Sequence, residues 1–139
     1  MKTVVIDTND FVSALRSRRG ASFKLLSLVG TGRFDVVVSV PLVVEYEYAL
    51  SKTAQKLDLV SGVVGDILDY VCRVAKHQDI WFLWRPILSD PRDDMLLEVG
   101  MASEAEAIIT YNKRDFREAE SFDIQIMTPK EFLLDEGLL

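Results

Sequence analysis

Short runs of apolar, β-branched residues alternate along this chain with segments whose apolar residues recur at helical spacing, and this alternation limits the possible folds more than any other feature. Strands are predicted at Lys2–Ile6, Phe34–Ser39, Ala107–Thr110 and Ile124–Met127, with a further short extended segment at Asp79–Leu83. Helices are predicted around them at Phe11–Leu15, Ala21–Val29, Ser39 to about Leu50, Lys52–Leu59, Val63–Lys76, Asp90 to about Glu104, Lys113–Ala119 and from Pro129 onward. This pattern is typical of an α/β fold in which helices cover both faces of a parallel sheet.

Length and composition indicate one domain over residues 1–139 with one core. Hydrophobic residues make up 49% of the 139 residues, too many for a disordered chain. The longest apolar stretch, Val36–Val44, is interrupted by Ser39 and Pro41, so no membrane span is expected. The N-terminus leads almost directly into a strand, which predicts no signal peptide. Cys72 is the only cysteine, which excludes an internal disulfide and favours a reduced, cytoplasmic setting.

Acidic and amide residues recur where the predicted strands end or the next helix begins. In chain order they are Asp7 directly after the first strand, Glu45 in the helix after the second, Asp93 and Asp94 in the helix before the third, and Asn112 and Asp115 after the third. Ligands of parallel α/β sheets bind outside the carboxyl ends of the strands. These residues are therefore predicted to lie at the edge of the sheet where a site is expected.

Carboxylates that are packed together repel one another, and a hard divalent cation relieves that repulsion. Oxygen ligands favour Mg²⁺ or Mn²⁺, whereas a single histidine, His77, cannot supply a His-rich zinc site and a single cysteine forms no Cys cluster. The net charge of −6 and the pI of about 4.8 argue against indiscriminate binding of nucleic acid through a basic surface. They do not exclude a nuclease, because a bound cation attracts phosphate locally.

Each acid also has a structural interpretation. Asp90 followed by Pro91 is a typical start of a helix, and Asp93 then occupies the third position, where an acid interacts favourably with the helix dipole. Asp94 lies one place deeper and is harder to explain as a cap. The other acids have structural alternatives as well: a turn for Asp7, an exposed helix position for Glu45 and a helix terminus for Asp115.

Several segments, in this order and at this spacing, are similar to one known family. They are VVIDTNDFVSAL (Val4–Leu15), RRGASFKLL (Arg18–Leu26), FDVVVSVPLVVEYEYAL (Phe34–Leu50), DPRDDMLLEVGMASEAEAIITYNKRDF (Asp90–Phe116) and MTPKEFL (Met127–Leu133). Through them the chain resembles PIN domains, in particular the VapC-like toxin components of toxin–antitoxin pairs. The resemblance covers nearly the whole chain and implies a three-layer α/β/α fold with a central parallel sheet, and metal-dependent cleavage of RNA.

The resemblance also implies roles for individual residues. The catalytic and metal-binding acids are Asp7, Glu45, Asp94 and Asp115, and the supporting residues are Thr8, Asn9, Asp93 and Asn112. The fourth acid departs from the pattern, because many members have an acid at the position of Asn112. Others have the arrangement found here at Thr110–Phe116, so Asp115 takes the fourth place and Asn112 is a neutral ligand or an orienting group. Asp10 stands where an apolar residue is common, and it either adds charge at the mouth of the site or faces solvent.

The mechanism expected from such a site is hydrolysis of a phosphodiester by water, with Mg²⁺ or Mn²⁺ lowering the pKa of the water and neutralising charge on the phosphate. Basic residues suited to flanking phosphates are Arg16, Arg18, Arg19, Lys113 and Arg114; a solvated loop is the alternative for the first three. The expected partners are an RNA substrate, an antitoxin protein and, by resemblance alone, a second copy of the chain. An acidic surface with apolar residues such as Trp81 and Trp84 suits an inhibitor with basic and apolar residues.

Two other classes of function stay open from the sequence. A non-catalytic PIN-type module that binds RNA or protein would share the fold, and the presence of the four acids argues against it. A phospho-accepting receiver domain requires paired acids after the first strand and a lysine just before a late proline, whereas Lys130 follows Pro129 here. A phosphatase that begins with D-x-D fits less well, because Asn9 stands where its second Asp would be.

Overall fold

The computed structural model of the chain describes residues 1–80 and 91–139, with side chains for all of these except 91, 92 and 117–121. Trp81, Trp84 and Asp90 lie outside the described residues, as does most of the extended segment predicted at Asp79–Leu83. Within the described ranges, no helix combines the length and the apolarity that crossing a bilayer requires.

The centre of the molecule is a five-stranded sheet, all of whose pairings are parallel. Its strands are β1 (Thr3–Ile6), β2 (Asp35–Val38), β3 (Lys76–His77), β4 (Ala107–Ile109) and β5 (Gln125–Met127), in the spatial order β3-β2-β1-β4-β5. The described helices are α1 (Thr8–Arg16), α2 (Ala21–Ser27), α3 (Val40–Lys56), α4 (Val63–Val74), α5 (Pro91–Ala102) and α6 (Pro129–Asp135), with a 3₁₀ helix at Lys113–Phe122. The predicted three-layer α/β/α fold with a central parallel sheet is confirmed.

The order of the strands reverses beside β1. The chain builds β2 and β3 on one side of β1, and after α5 it crosses to build β4 and β5 on the other side. The carboxyl ends of β1 and β4 are therefore neighbours at the point where the winding changes direction, with Ile6 paired to Ile109. In open α/β sheets such a point leaves a crevice, which is where ligands bind.

The core is continuous on both sides of the central strands. The last three residues of β1, all of β4 and the last three residues of β2 are buried, as expected for strands covered on both faces. Tyr46 of α3 is fully buried and packs against Phe11 of α1, with ring centroids 4.3 Å apart and ring planes tilted by 40°. Its hydroxyl donates a hydrogen bond to the carbonyl oxygen of Ile6. This contact fixes both helices relative to the carboxyl end of β1.

Helix α3 is longer than the sequence predicted. It continues from Val40 to Lys56, whereas a break after Leu50 and a separate helix at Lys52–Leu59 were expected. The predicted break is wrong because no glycine or proline interrupts this stretch, and because both Leu50 and Thr53 remain buried. Ser39 caps α3 as predicted, since its hydroxyl accepts a hydrogen bond from the backbone N–H of Leu42 at 3.3 Å.

The edge strand β3 is absent from the sequence prediction, which assigned Lys76 to the preceding helix. Helix α4 ends at Val74, and after Ala75 the residues Lys76 and His77 pair in parallel with Val37 and Val38. Both side chains of β3 are exposed. Two polar residues at the edge of a sheet give no hydrophobic periodicity, so this strand has no signature in the sequence.

Candidate active site

Asp7 lies where β1 ends and α1 begins, at the point where the winding of the sheet reverses. Its backbone N–H donates to the carbonyl oxygen of Ile109 at 2.9 Å and so extends the pairing of β1 with β4. Its carboxylate caps α1, with Oδ1 accepting from the backbone N–H of Asn9 at 3.4 Å. Oδ2 accepts a hydrogen bond from the hydroxyl of Thr110 at 2.6 Å. The carboxylate is thus fixed from two elements, and only 6% of the residue is exposed.

The pKa of Asp7 is raised above its ordinary value. Burial is the main cause, and the negative charge of Glu45 raises the pKa further. The hydrogen bonds from Thr110, Asn9 and Thr8 lower it in part. The protein therefore holds a carboxylate where negative charge is disfavoured, and a cation beside it would stabilise the ionised form.

Thr110 links this carboxylate to the loop after β4. Its hydroxyl donates to Asp7 and accepts a hydrogen bond from the backbone N–H of Asn112 at 3.0 Å. The carbonyl oxygen of Asn112 in turn accepts from the backbone N–H of Asp115 at 3.0 Å. The side chains of Asn112 and Asp115 are exposed and line a surface depression of about 430 Å³ together with Tyr111, Lys113 and Arg114.

Glu45 and the acids of α5 are placed by the helices that pack around the central strands. Glu45 is half-buried on α3, and its charge acts on Asp7. Asp93 and Asp94 are buried in the first turn of α5, and Glu98 is buried one turn later. Since α5 packs against β1 and β4 and leads into the amino end of β4, its first turn lies toward the carboxyl edge. The sequence analysis did not single out Glu98.

Asp10 is completely buried on α1, so the interpretation that it faces solvent is wrong. Burial and the nearby charge of Asp7 raise its pKa well above the ordinary value. Thr8 is also buried, and Asn9 is exposed. Among the first residues of α1, two buried carboxylates thus lie close enough for each to disfavour the charge of the other.

A ready-made metal cage is not present in the described part of the chain. No three acidic, histidine or cysteine side chains among those residues stand close enough together to hold a metal ion as they are. The predicted four-acid site of Asp7, Glu45, Asp94 and Asp115 therefore stays a prediction. The structure brings Asp7 and Glu45 within electrostatic range of each other.

The basic residues lie on exposed segments. Arg16, Arg18 and Arg19 are exposed at and after the end of α1. Arg18 and Arg19 line a second depression, of about 620 Å³, whose rim includes Lys24 and Lys130. The ammonium group of Lys113 donates hydrogen bonds to both carboxylate oxygens of Glu131, at 3.0 and 3.1 Å.

Two residues that shape the site were missed by the sequence analysis. The hydroxyl of Thr110 donates a 2.6 Å hydrogen bond to the Asp7 carboxylate. Tyr46 of α3 donates a hydrogen bond to Ile6 at the carboxyl end of β1. A polar residue directly after a buried strand was the available signal for Thr110, since the ends of neighbouring parallel strands meet. Tyr46 gave no signal, because a tyrosine in an apolar helix face is expected to be an ordinary core residue.

Comparison with known proteins assigns the class of this molecule. The PIN domain, as a family, matches residues 3–114, and the chain therefore belongs to the PIN-domain family. This membership removes the receiver-domain alternative.

A chain of the VapBC2 complex from Rickettsia felis, solved bound to a DNA fragment from their promoter, has a similar fold. The two chains superpose with a TM-score of 0.61 at 15% sequence identity, over 91% of this chain and 98% of the other. At this identity the similarity establishes the shared fold. None of the curated proteins compared with the chain is similar to it in sequence.

Proposed function

We propose that this protein is a metal-dependent ribonuclease, an endoribonuclease that hydrolyses RNA phosphodiesters, and that it is the toxin of a toxin–antitoxin pair. The observation that carries the proposal is the buried carboxylate of Asp7 at the reversal point of a PIN-domain sheet. Its pKa is raised by burial, and Thr110 and Asn9 fix its orientation. A carboxylate kept in place where its charge is disfavoured is typical of a functional site.

The donor chemistry of the site fits a hard divalent cation. Asp7, Glu45, Asp94 and Asp115 offer only oxygen ligands, which suit Mg²⁺ or Mn²⁺. The buried carboxylate of Asp10 adds negative charge beside Asp7. Because no three of these groups surround a common point in the described residues, closing them around an ion requires side-chain movement. When bound, the ion would supply positive charge for the phosphate and acidify the attacking water.

The residues of the chain itself position these parts. Thr110 and Asn9 hold the two oxygens of Asp7, which limits the directions from which an ion can be bound. Thr110 also orders the start of the loop that carries Asn112 and Asp115. Lys113 and Arg114 line the surface depression that also contains Asn112 and Asp115. These two basic side chains would hold phosphates that flank the cleaved bond.

Cleavage of RNA by the purified protein tests the proposal. A mixed RNA pool is incubated with Mg²⁺, with Mn²⁺ or with EDTA, and internal cuts are mapped. Wild-type protein should cut only with metal, Asp7→Asn should not cut, and Asp69→Asn should cut normally, because Asp69 is exposed on α4. Cleavage that persists in EDTA, or that survives in Asp7→Asn, would contradict the assignment.

A non-catalytic binding module is the second candidate, and one observation favours it: the lack of a preformed group of three metal-binding side chains in the described residues. Such a module would bind RNA or protein without cutting either. RNA retained in a gel-shift assay, with no cut in the presence of Mn²⁺, would select this alternative.

The partner proposal has its own structural support. An apolar groove of about 400 Å³ lies between helices α1, α2 and α4 and is lined largely by Phe11, Leu15, Phe23, Leu26, Ile67 and Tyr70. Phe23 and Tyr70 are 39% and 40% exposed at its surface. An apolar groove of this kind suits the apolar face of a helix from an antitoxin. We also propose, on family resemblance, that the protein forms a homodimer and acts in the cytoplasm.

A further inference from the structure

Asp10 is a buried acid that the proposed four-ligand site does not use. It occupies the third position of α1, and none of its surface is exposed. Both of its carboxylate oxygens lack a hydrogen-bond partner among the described residues. Buried polar groups in proteins are nearly always hydrogen-bonded, so an exception requires a physical reason.

The usual structural role of an acid at this position is blocked here. An acid at the third position of a helix commonly reaches back to the backbone N–H of the capping residue, which in α1 is Asp7. That N–H lies near the Asp10 carboxylate and lowers its pKa in part. It nevertheless donates its hydrogen bond to the carbonyl oxygen of Ile109, because Asp7 continues the pairing between β1 and β4. The sheet thus takes the donor that would otherwise satisfy Asp10.

The other groups that act on Asp10 do not compensate for its burial. Asp7 lies close enough for its negative charge to disfavour a charge on Asp10. The pKa of Tyr46 is raised by burial and by the charges of both acids. Its hydroxyl donates a hydrogen bond to the carbonyl oxygen of Ile6 and not to either acid. The group of Asp7, Asp10 and Tyr46 therefore holds two carboxylates and a phenol, and its members contribute no positive charge. A favourable interaction with the helix dipole is small beside the penalty of burying an unpaired carboxylate.

We propose that Asp10 is a further residue of the cation site: its buried carboxylate, near Asp7, increases the affinity for a divalent cation and makes the metal-free protein less stable. The inference rests on the proposed function, because it requires that a cation binds at Asp7. The cation supplies the positive charge that the group of Asp7, Asp10 and Tyr46 lacks. Asp10 acts on the ion through its charge, and Asp7 remains the ligand. An apolar residue would be the stable choice at this buried position, and the acid is retained for binding.

Titration of metal-free protein with MnCl₂, without RNA, tests this inference by calorimetry. The variants are Asp10→Asn, which keeps the shape and removes the charge, and Asp10→Val, which provides the apolar alternative. Asp69→Asn is the control for the loss of one exposed negative charge. Both Asp10 variants should bind Mn²⁺ about tenfold more weakly or worse, the range found when outer residues of metal sites are changed. The control should bind like the wild type.

Thermal unfolding of the same four proteins gives a second measurement. In EDTA, Asp10→Asn and Asp10→Val should unfold at a Tm higher than that of the wild type by about 4 °C or more. Saturating Mn²⁺ should raise the Tm of the wild type more than that of either variant, because an ion stabilises the folded state according to its affinity. Should Asp10→Val not fold, Asp10→Asn alone decides.

The outcomes separate this inference from the proposed function. Equal Mn²⁺ affinity in the wild type and Asp10→Asn overturns the inference and leaves the nuclease proposal intact. A Tm in EDTA that falls in both variants also overturns it, since Asp10 would then support the fold. Failure of the wild type to bind Mn²⁺ overturns the proposed metal dependence and this inference with it.

Discussion

The chemistry of single residues in this protein centres on a conflict between burial and charge at Asp7. The side chain is almost fully buried, yet it caps a helix and accepts hydrogen bonds that favour its ionised form. Burial has the larger effect on the pKa, which is raised. Without a cation, the ionised carboxylate of Asp7 therefore destabilises the folded state.

Replacing Asp7 by Asn should abolish RNA cleavage and stabilise the metal-free protein. We expect cleavage to fall at least about a hundredfold, because changes to residues that merely support metal ligands already cost up to that much. The pKa of Asp7 is higher in the folded than in the unfolded chain, so its contribution to stability is fully present below the unfolded pKa of about 3.9 and is lost as the pH rises through the folded pKa. The stability advantage of Asp7→Asn in EDTA should consequently grow from pH 4 to pH 7.

Urea unfolding of both proteins in EDTA at several pH values measures this advantage. The comparison of two proteins at each pH cancels the titration of distant groups such as Glu131, whose pKa is lowered by the backbone N–H of Thr128 and by Lys113. If the stability advantage of Asp7→Asn shrinks as the pH rises, the folded protein stabilises the ionised form of Asp7. That result would contradict the raised pKa of this buried carboxyl group.

Thr110→Val should impair the site while leaving the carboxylates in place. The substitution keeps the shape and removes the hydroxyl that donates to Asp7 and accepts from Asn112. The pKa of Asp7 should rise further, and cleavage should fall by about 10- to 100-fold, as for other residues that orient metal ligands. Initial rates at saturating Mn²⁺ measure the effect. Thr110→Ser, which restores the hydroxyl, should recover most of the activity, and failure of this rescue would assign Thr110 to packing alone.

The sequence predicts which residues belong to the candidate site better than it predicts how deeply they are buried. Asp7 could be predicted because it follows an apolar strand, where a parallel sheet exposes its carboxyl end. The burial of Asp10 could not, because an acid in the first turn of a helix is ordinarily exposed. Its environment depends on Tyr46 and on the pairing of β1 with β4, which are contacts between distant parts of the chain.

At the level of helices and strands, burial decided which elements could be predicted. The strands β1, β2 and β4 are apolar because they are covered on both faces, and their sequences show it. Strand β3 pairs at the edge through two exposed polar residues, and only its hydrogen bonds to β2 define it. The predicted end of α3 near Leu50 was wrong, because the amphipathic pattern is weak beyond this residue. The helix continues to Lys56, and Thr53 is buried.

Helix α6 begins with a capping box formed by Thr128 and Glu131. The hydroxyl of Thr128 accepts from the backbone N–H of Glu131 at 3.1 Å, and the Glu131 carboxylate accepts from the backbone N–H of Thr128 at 2.9 Å. The helix buries Phe132 and Leu133 in the core, and Phe132 meets the ring of Phe34 edge to face at 5.3 Å. A frayed start of α6 would weaken that packing.

Thr128→Ala should lower the free energy of unfolding by about 0.5–2 kcal/mol, the usual cost of a lost capping side chain. The metal affinity should not change, because Thr128 does not contact the proposed metal ligands. Chemical denaturation and Mn²⁺ titration measure the two quantities. Thr128→Ser should retain the stability, and a loss of Mn²⁺ affinity in Thr128→Ala would show that α6 is coupled to the site.

For the whole molecule, the balance of charge matters for what it can bind. The chain carries 22 acidic and 16 basic residues, so the proposed attraction of RNA would come from local groups such as Arg18, Arg19, Lys24 and Lys130, which line one depression. The same acidic balance favours a protein partner with basic residues. The apolar groove is lined by residues of α1, α2, α3 and α4, and none of the proposed metal ligands is among its lining residues.

This separation allows partner binding and catalysis to be tested independently. Tyr70→Asp places a charge in the apolar groove at a side chain that is already 40% exposed and that does not line the basic depression, so the fold should tolerate it. We expect this variant to lose co-purification with the product of a neighbouring small open reading frame while it cleaves RNA normally. Asp7→Asn should show the opposite behaviour, and Tyr48→Asp, a change at an exposed aromatic residue of α3 that does not line the groove, should retain both properties.

Growth of the host gives the matching measurement in cells. Wild-type protein expressed alone should slow growth, and co-expression of the partner should restore it. Tyr70→Asp should remain toxic in the presence of the partner, because it replaces an aromatic ring of the groove with a second carboxylate beside Asp66, and an apolar helix fits that surface less well. If Tyr70→Asp is still neutralised and still co-purifies, the partner binds elsewhere on the molecule. If no partner co-purifies with the wild type and growth is unaffected, the toxin assignment is wrong. The nuclease assignment survives that result, since it depends on Asp7 and its neighbours and not on the groove.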